Sequence, residues 1–421
     1  MKTRRRWKAI VLAELIVLTV VTTLAVGTGL WVLTAIPIGF LFGFFLERSD
    51  LCGASAFSEV VMMRDHRKVA GLWVAIVVGM LVFSLGAAWG WFRLSPKPLI
   101  WASYLVGGAT FGVGTVLAGG CVSGALFKAG QGNLNSMAAL VAIPLGVSAV
   151  AYGPLQGLNQ RLRRYVIKAD DGGSVSLPSA TGLPYWAWAV LFCVATGVGA
   201  YLLLRRSKRE EGAANPRLSS SGLVDRVLTR AWKPWQSGVA IGLLGLVAYC
   251  SSAASGRSYP LGVTHGVLDV QVLTTDYPVD SVWKPKAQPA SKAQASAKAA
   301  SAAPPTKPAV ASPHKQKHVV WWLVALVASL VVGSFTSSKL RGSFNLRPKP
   351  PDETVTAFFG GLLVGAGAAL AGGCIIGNVV SGVALMSLGN VLFLVVVVLA
   401  NWATTYFYLM GGSLGRAHRT T

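Results

Sequence analysis

Long apolar runs leave this chain few ways to fold. Residues 9–33, 70–93, 134–155, 184–204, 319–338 and 388–410 each supply about 20 apolar residues, enough to cross roughly 30 Å of hydrocarbon as one helix. Between them lie apolar stretches of another kind, 36–63, 100–130, 238–270 and 357–387, interrupted by glycine and polar residues. A break inside lipid exposes backbone groups and is tolerated only where protein or a water-filled cavity receives them. The pattern predicts an all-α polytopic membrane protein in which broken, re-entrant half-helices meet at mid-membrane along a substrate path. Only 13% of residues are charged, against about 25% in soluble domains.

An internal repeat sharpens this picture. Residues 107–124 read GGATFGVGTVLAGGCVSG, and residues 360–377 read GGLLVGAGAALAGGCIIG. They agree without gaps at 10 of 18 positions, including the whole LAGGC core. Five of the first eight residues are basic, which places Met1 in the cytoplasm. If each broken pair returns to the face it came from, the two LAGGC copies enter from opposite faces. That is an inverted repeat. It puts the C-terminal GRAHRTT and the basic loop 205–233 inside, but it leaves three basic loops outside: Arg64–Lys68, Arg161–Lys168 and Lys339–Lys349.

The expected organisation follows from these boundaries. Residues 1–33 form an additional span, 34–155 a first half, 156–236 a linking span with a basic loop, 237–410 a second half, and 411–421 a tail. Within the second half, residues 283–318 are rich in Ala, Pro, Lys and Ser; such a composition buries too little apolar surface to fold and predicts a disordered linker. The formal net charge of +23 sits mainly in tails and loops. There it orients the chain, touches anionic lipid and can draw an anion toward a pore mouth. Nucleic acid is not an expected partner.

Five cysteines, Cys52, Cys121, Cys193, Cys250 and Cys374, carry the chemistry. No C-x-x-C pair exists, so metal sites lack their usual spacing, and no cofactor is expected. Cys121 and Cys374 follow glycine pairs that include Gly120 and Gly373, where a half-helix can start. A helix N-terminus presents free N–H groups and partial positive charge, and glycine lets an anion approach the backbone. A lone cysteine among glycines is more often a packing residue; the duplication favours a site. Cys52 lies at the centre of the first broken stretch beside Glu47, Arg48 and Asp50. Arg48 reads equally as an anion-attracting residue or as one snorkelling to the interface. Ser123 and Asn378 are candidate anion donors. His265, the one histidine in a broken stretch, either lines the path or has a structural role. Cys193 and Cys250 read as packing residues, and Glu14 in the first span has no evident partner. No G-x-x-x-x-G-K-[ST] motif is present, so the chain carries no P-loop of its own to power transport.

The strings RSDLCGASAF at 48–57, GGCVSG at 119–124, GVTHG at 262–266 and AGGCIIGNVVSGVALMSLGN at 371–390 resemble the YeeE/YedE family of membrane proteins, whose studied member is a bacterial thiosulfate transporter. The resemblance spans most of both halves but not residues 1–33 or the linker. It implies an hourglass-like inner-membrane protein, not an enzyme, that passes thiosulfate along by S–H···S contacts at Cys52, Cys121 and Cys374. It also implies a small cytosolic sulfur-carrier partner of the TusA type. Sulfite and selenite are the alternative cargoes. A cysteine-dependent membrane sulfurtransferase is the rival from another class, and a non-transporting membrane scaffold is another.

Overall fold

The computed structural model describes residues 14, 16–25, 27–169, 173–210, 231–273, 279–282, 317–346 and 350–411. Among these, eight segments are long and apolar enough to cross a membrane. Four are broken. The first joins α2 (Ala35–Ser49) to α3 (Gly53–Met63), and the second joins α5 (Trp101–Leu117) to α6 (Val122–Gly130). The third joins α11 (Pro234–Ala254) to α12 (Thr264–Leu273), and the fourth joins α14 (Pro351–Leu370) to α15 (Ile375–Val383), a nine-residue π-helical turn. The unbroken spans are α4 (Arg67–Ala88), α7 (Leu134–Ala151), α13 (Trp321–Arg341) and α16 (Leu388–Thr404), the last extended to Leu409.

Two expected spans are represented by shorter apolar helices, α1 (Ile16–Ala25) within 9–33 and the apolar part Tyr185–Gly199 of α10 (Tyr185–Glu210) within 184–204. Two small surface helices, α8 (Gln156–Leu162) and α9 (Leu177–Thr181), lie between α7 and α10. Most of the expected linker 283–318 lies outside the described residues. Its last two, Lys317 and His318, instead open a strand, β2 (Lys317–Val320), that pairs in parallel with β1 (Val279–Val282). The tail beyond residue 411 and the basic start also lie outside the described residues.

Glycine sets the packing. A Cβ on Gly107 would lie 2.6 Å from the Ala371 nitrogen, and one on Gly114 would lie 2.6 Å from the Val364 nitrogen. The start of α5 thus meets the end of α14, and the two repeat-bearing helices cross antiparallel at backbone contact. Lipid offers no hydrophobic reward for helix association, so small residues that admit this approach carry much of it. Other pairs run parallel: α2 with α13 (Gly39 on Leu326, Gly43 on Leu330), α4 with α11 (Gly71 on Pro234, Gly242 on Val78), and α7 with α14 (Gly361 on Ala139, Gly365 on Ile143). So do α5 and α16, where Gly108 meets Val396 and Gly112 meets Ala400.

These contacts correct one expectation. Trp322 at the start of α13 donates to Ser251 near the end of α11 (2.8 Å), and Lys97 before α5 donates to Gly372 after α14 (2.7 Å). Both contacts mark one face of the bundle. On the opposite face Trp232 donates to the Arg48 carbonyl (2.9 Å), and Asn135 at the start of α7 bonds Glu353 at the start of α14 (3.1 Å). Each broken element therefore starts on one face and hands the chain to the next helix on the other. The broken pairs do not return to their own face; each makes a net crossing. The paired helical pieces, of 15 and 11, 17 and 9, 21 and 10, and 20 and 9 residues, provide the needed reach at 1.5 Å per residue. In consequence Arg64–Lys68 and Lys339–Arg341 share a face with the end of α10 and the start of α11, which the return-to-face counting had placed apart.

Candidate functional site

The four breaks pack against one another inside the bundle. At the two LAGGC copies the backbone takes the same path: Gly119 has φ +66° and Gly372 has φ +69°. That left-handed conformation favours glycine. Two residues later Cys121 (φ −83°, ψ −177°) and Cys374 (φ −88°, ψ −171°) are the extended N-caps of α6 and α15. Cys52 (φ −113°, ψ 128°) is likewise the N-cap of α3. All three thiols are buried, and none makes the side-chain capping bond of an ordinary N-cap. They occupy helix starts without closing them, which leaves N–H groups and partial positive charge turned toward the centre.

The thiols are brought together by small residues. The Sγ atoms of Cys52 and Cys121 lie 3.8 Å apart, and Cys121 Sγ is 3.3 Å from Ser123 Oγ. A Cβ on Gly124 would sit 2.5 Å from Cys52 Sγ, and one on Gly53 would sit 2.5 Å from Ile375 Cγ2. Thus the Cys52 break touches both cysteine copies at once. The third break joins them through Tyr259, whose hydroxyl donates to the Gly377 carbonyl (2.6 Å), and Leu261, whose carbonyl accepts from the Ser381 hydroxyl (2.8 Å).

Lysines brace both glycine turns. Lys128 Nζ donates to the Gly119 carbonyl and Lys97 Nζ to the Gly372 carbonyl, each at 2.7 Å. The two carbonyls are equivalent in the repeat, while the lysines come from unrelated positions in the sequence. Lys97 also donates to Asn378 Oδ1 (2.7 Å), and Asn378 Nδ2 donates to the Ala371 and Gly373 carbonyls (3.1 and 2.9 Å). The Asn378 amide N–H groups are therefore engaged in holding the turn. The expectation that Asn378 donates to an anion gives way to a structural role. Gly373 admits Lys97: a Cβ there would lie 3.1 Å from its Nζ and 2.7 Å from Asn378 Oδ1.

Beside Cys374 opens a cavity of about 350 Å³, lined by Lys97, Arg257, Tyr259, Thr264, His265 and the glycines of the turn among others. His265 is thus placed on a cavity wall. Burial and the neighbouring Arg257 guanidinium push the Lys97 ammonium down to about 7. Arg163 adds charge at the rim by donating to the Ala369 carbonyl (3.2 Å). Arg48 lies elsewhere, near the opposite face. It is 0% exposed with its guanidinium 4.7 Å over the Phe44 ring, so the snorkelling reading fails. Its neighbour Glu47 is also buried and accepts from Ser343 (3.1 Å), Gln131 (3.3 Å) and Ser337, with Arg341 at 3.6 Å. Glu14, without an evident partner in the sequence, accepts from Thr336 (3.0 Å).

Lys97, Lys128, Arg163, Arg257 and Tyr259 escaped the sequence reading. A signal existed for one of them: R-S-x-x-x-G occurs at Arg48–Gly53 and again at Arg257–Gly262, with Arg48 in the last turn of α2 and Arg257 inside the third break. Nothing in the sequence places Lys97 or Lys128 on the glycine turns.

A family described as sulphur transport matches residues 48–403, a range that contains all four breaks. The chain belongs to this sulphur transport family. Among curated relatives, the thiosulfate transporter TsuA of Escherichia coli (strain K12) is 28% identical over 378 residues, covering 89% of this chain and 94% of that protein. The thiosulfate transporter TsuA of Spirochaeta thermophila is 26% identical, covering 89% of this chain and 98% of that protein. The probable transporter YedE of Escherichia coli is 32% identical over 122 residues, covering 28% of this chain and 29% of that one. As a member of the sulphur transport family with eight segments among the described residues long and apolar enough to cross a membrane, the chain is a multi-pass membrane protein, and the relatives that match most of its length carry the names of transporters.

Proposed function

We propose that this protein carries thiosulfate, or a small anion that likewise ends in a soft sulfur, across the inner membrane by way of Cys374, Cys121 and Cys52. The observation that carries the reading is that three cysteines, from breaks far apart in sequence, each cap a helix start without closing it and converge at the centre. A dianion is expensive to desolvate. Neutral thiols give weak donors, and helix starts give diffuse positive potential; together they compensate the charge at each step without trapping it. A fixed lysine at the centre would hold the ion harder and release it more slowly. The TsuA relatives support thiosulfate as the cargo.

Two finer features belong to the same proposal. The halves form an inverted repeat in this reading: exchanging α2 with α11, α4 with α13, α5 with α14 and α7 with α16 maps the pairings among these eight helices onto one another. The antiparallel α5–α14 crossing maps onto itself, as such an axis demands. The face holding Arg64–Lys68, Lys339–Arg341 and the α10–α11 connection is cytoplasmic by its basic loops. Both termini then lie inside, and the Lys97 cavity opens outward. Only Arg161–Lys168 stays on the outer face, and its Arg163 serves the cavity rim. A TusA-type carrier remains the proposed cytosolic partner.

The test is uptake of labelled thiosulfate by cells lacking their own sulfate and thiosulfate importers, comparing wild type with Cys121→Ala at matched membrane expression. Uptake that falls at least tenfold in the variant supports the path. Wild-type uptake that survives the substitution removes the cysteines from it, and absence of wild-type uptake sinks thiosulfate as the cargo.

A further inference from the structure

The contact between Cys52 and Cys121 is made by two elements that a third helix ties together. α3 starts at Cys52, and α5 leads into Cys121. One buried amide on α16 reaches both. Ser58, six residues after Cys52, donates to Asn401 Oδ1 (3.0 Å), and Asn401 Nδ2 donates to the hydroxyl of Thr115 (3.2 Å), six residues before Cys121. The line continues at both ends. Thr405 donates to Ser58 (3.3 Å), and Thr115 donates to the Gly112 carbonyl (2.8 Å). A hydroxyl carries one proton and can also accept, so all four bonds run in one direction from Thr405 to Gly112. Asn401 and Thr405 are fully buried, and Thr115 is nearly so. The line ends where α5 and α16 touch: a Cβ on Gly112 would lie 2.6 Å from Ala400 Cβ.

Stability alone does not explain an asparagine at this position. Membrane helices pack closely through small apolar residues, and hydrogen bonds across them add only modest net stability. What a buried asparagine does well is fix register, because few alignments of its neighbours satisfy it. Register matters at Cys52. Slipping α3 by one residue along α16 shifts it about 1.5 Å and turns it about 100°, which takes the Cys52 sulfur out of its 3.8 Å contact with Cys121. The other half of the chain carries a tether of related kind. Ser148 on α7 donates to Gln271 (2.8 Å) on α12, the half-helix that follows the third break.

We propose that Asn401 is a positioning residue of the thiol path: through Ser58 and Thr115 it holds the half-helix behind Cys52 in register with the helix before Cys121. It touches neither thiol among the described contacts and acts through the two helices. The effect on uptake rests on the transport reading above; the effect on thiol geometry does not. A lost register should slow passage between the two cysteines and leave capture of the anion at the outer side unchanged.

The test reads geometry and uptake separately. Purified protein in nanodiscs, with Cys193 and Cys250 replaced by Ser, is treated with a mild thiol oxidant, and formation of the Cys52–Cys121 cross-link is followed by mass spectrometry. The variants are Asn401→Leu, Thr115→Val and Thr115→Ser, with Ser148→Ala as the control in the other half. The expected result is cross-linking at least fivefold slower in folded Asn401→Leu and Thr115→Val, and near the wild-type rate in Thr115→Ser, which keeps the hydroxyl, and in Ser148→Ala. In uptake assays at matched expression, Asn401→Leu and Thr115→Val should lower the maximal rate at least fivefold and change KM less than twofold. Wild-type cross-linking rates in both variants would overturn the positioning role and leave the transport reading intact. Slowed cross-linking with full uptake would keep the positioning role and overturn the path through Cys52 and Cys121. Valine has nearly the shape of threonine, so Thr115→Val decides the matter even if Asn401→Leu fails to fold.

Discussion

The Cys52 and Cys121 sulfurs sit 3.8 Å apart although 69 residues separate them. Two buried thiols at contact distance can hand an anion from one to the other without a gap in donors. The expected consequence is that Cys52→Ala and Cys121→Ala each lower thiosulfate uptake at least tenfold, and that the double variant is hardly worse than either one. Residues acting as one unit give non-additive losses. Losses that multiply in the double variant would show the two thiols to act independently. Initial uptake rates at matched expression provide the measurement.

The same proximity makes the pair a site for chemical closure. In a protein with Cys193 and Cys250 replaced by Ser, a mild thiol oxidant should link Cys52 to Cys121 and stop uptake, and a reductant should restore it. A disulfide needs the sulfurs near 2.05 Å with matched Cβ directions, and the small neighbours Gly53 and Gly124 leave the side chains room to turn. Mass spectrometry of the cross-linked peptides reads the bond directly. Full uptake in protein shown to be cross-linked would place the path elsewhere.

Much of this was legible in the sequence, for identifiable reasons. The breaks were visible because glycine and polar residues interrupt apolar runs, and the site was visible because LAGGC occurs twice. Cys52 stood out by its charged neighbours. What escaped depends on three-dimensional proximity. Lys97 lies in a connection with no motif, and it matters only because the α14 turn folds back beside it. Asn378 looked free to donate because its sequence position does not reveal the carbonyls of Ala371 and Gly373. The crossing count went wrong at a definite assumption, that a broken helix turns back. Pieces of 15 and 11 residues, as at α2 and α3, are together long enough to cross, and the contacts at both faces show that the chain does.

The glycine turn gives a stability prediction. Gly372 at φ +69° tolerates a side chain poorly, and forcing alanine into the left-handed region costs about 1–2 kcal/mol. Gly372→Ala should lower the thermal midpoint of the detergent-solubilised protein, and Gly119→Ala should do so by a similar amount because the turn is repeated. Gly157, with open space around it and no positive φ, is the control at which alanine should leave the midpoint unchanged. Equal midpoints for all three variants would remove the conformational argument.

The helix crossing gives a harsher one. At Gly367 a Cβ would fall within van der Waals contact of the Phe111 nitrogen, so Gly367→Val must push α5 and α14 apart. Overpacking of this sort typically costs about 1–3 kcal/mol, and here it also displaces the two helices that lead into Cys121 and Cys374. Fluorescence-detected size exclusion should show reduced monodisperse protein, and uptake should fall further than the loss of folded protein accounts for. Uptake that tracks folded protein one for one would mean that the crossing only holds the bundle together.

The last prediction concerns pH and follows from Lys97. Burial and Arg257 lower its pKa to about 7, so the ammonium is charged below that value and neutral above it. The groups around it are Arg257, Arg163, Cys374, Tyr259, His265 and Asp269. Thiosulfate is fully ionised across this range, so the change in charge belongs to the protein. Affinity for the anion should fall as pH rises through 7, seen as a rising KM between about pH 6 and pH 8. Arginine stays charged at every working pH, and Lys97→Arg should flatten the profile while keeping the acidic-side KM near that of wild type. Binding titrations at several pH values on the nanodisc protein separate this effect from any contribution of a proton gradient to uptake. A profile as steep in Lys97→Arg as in wild type would assign the titration to another group.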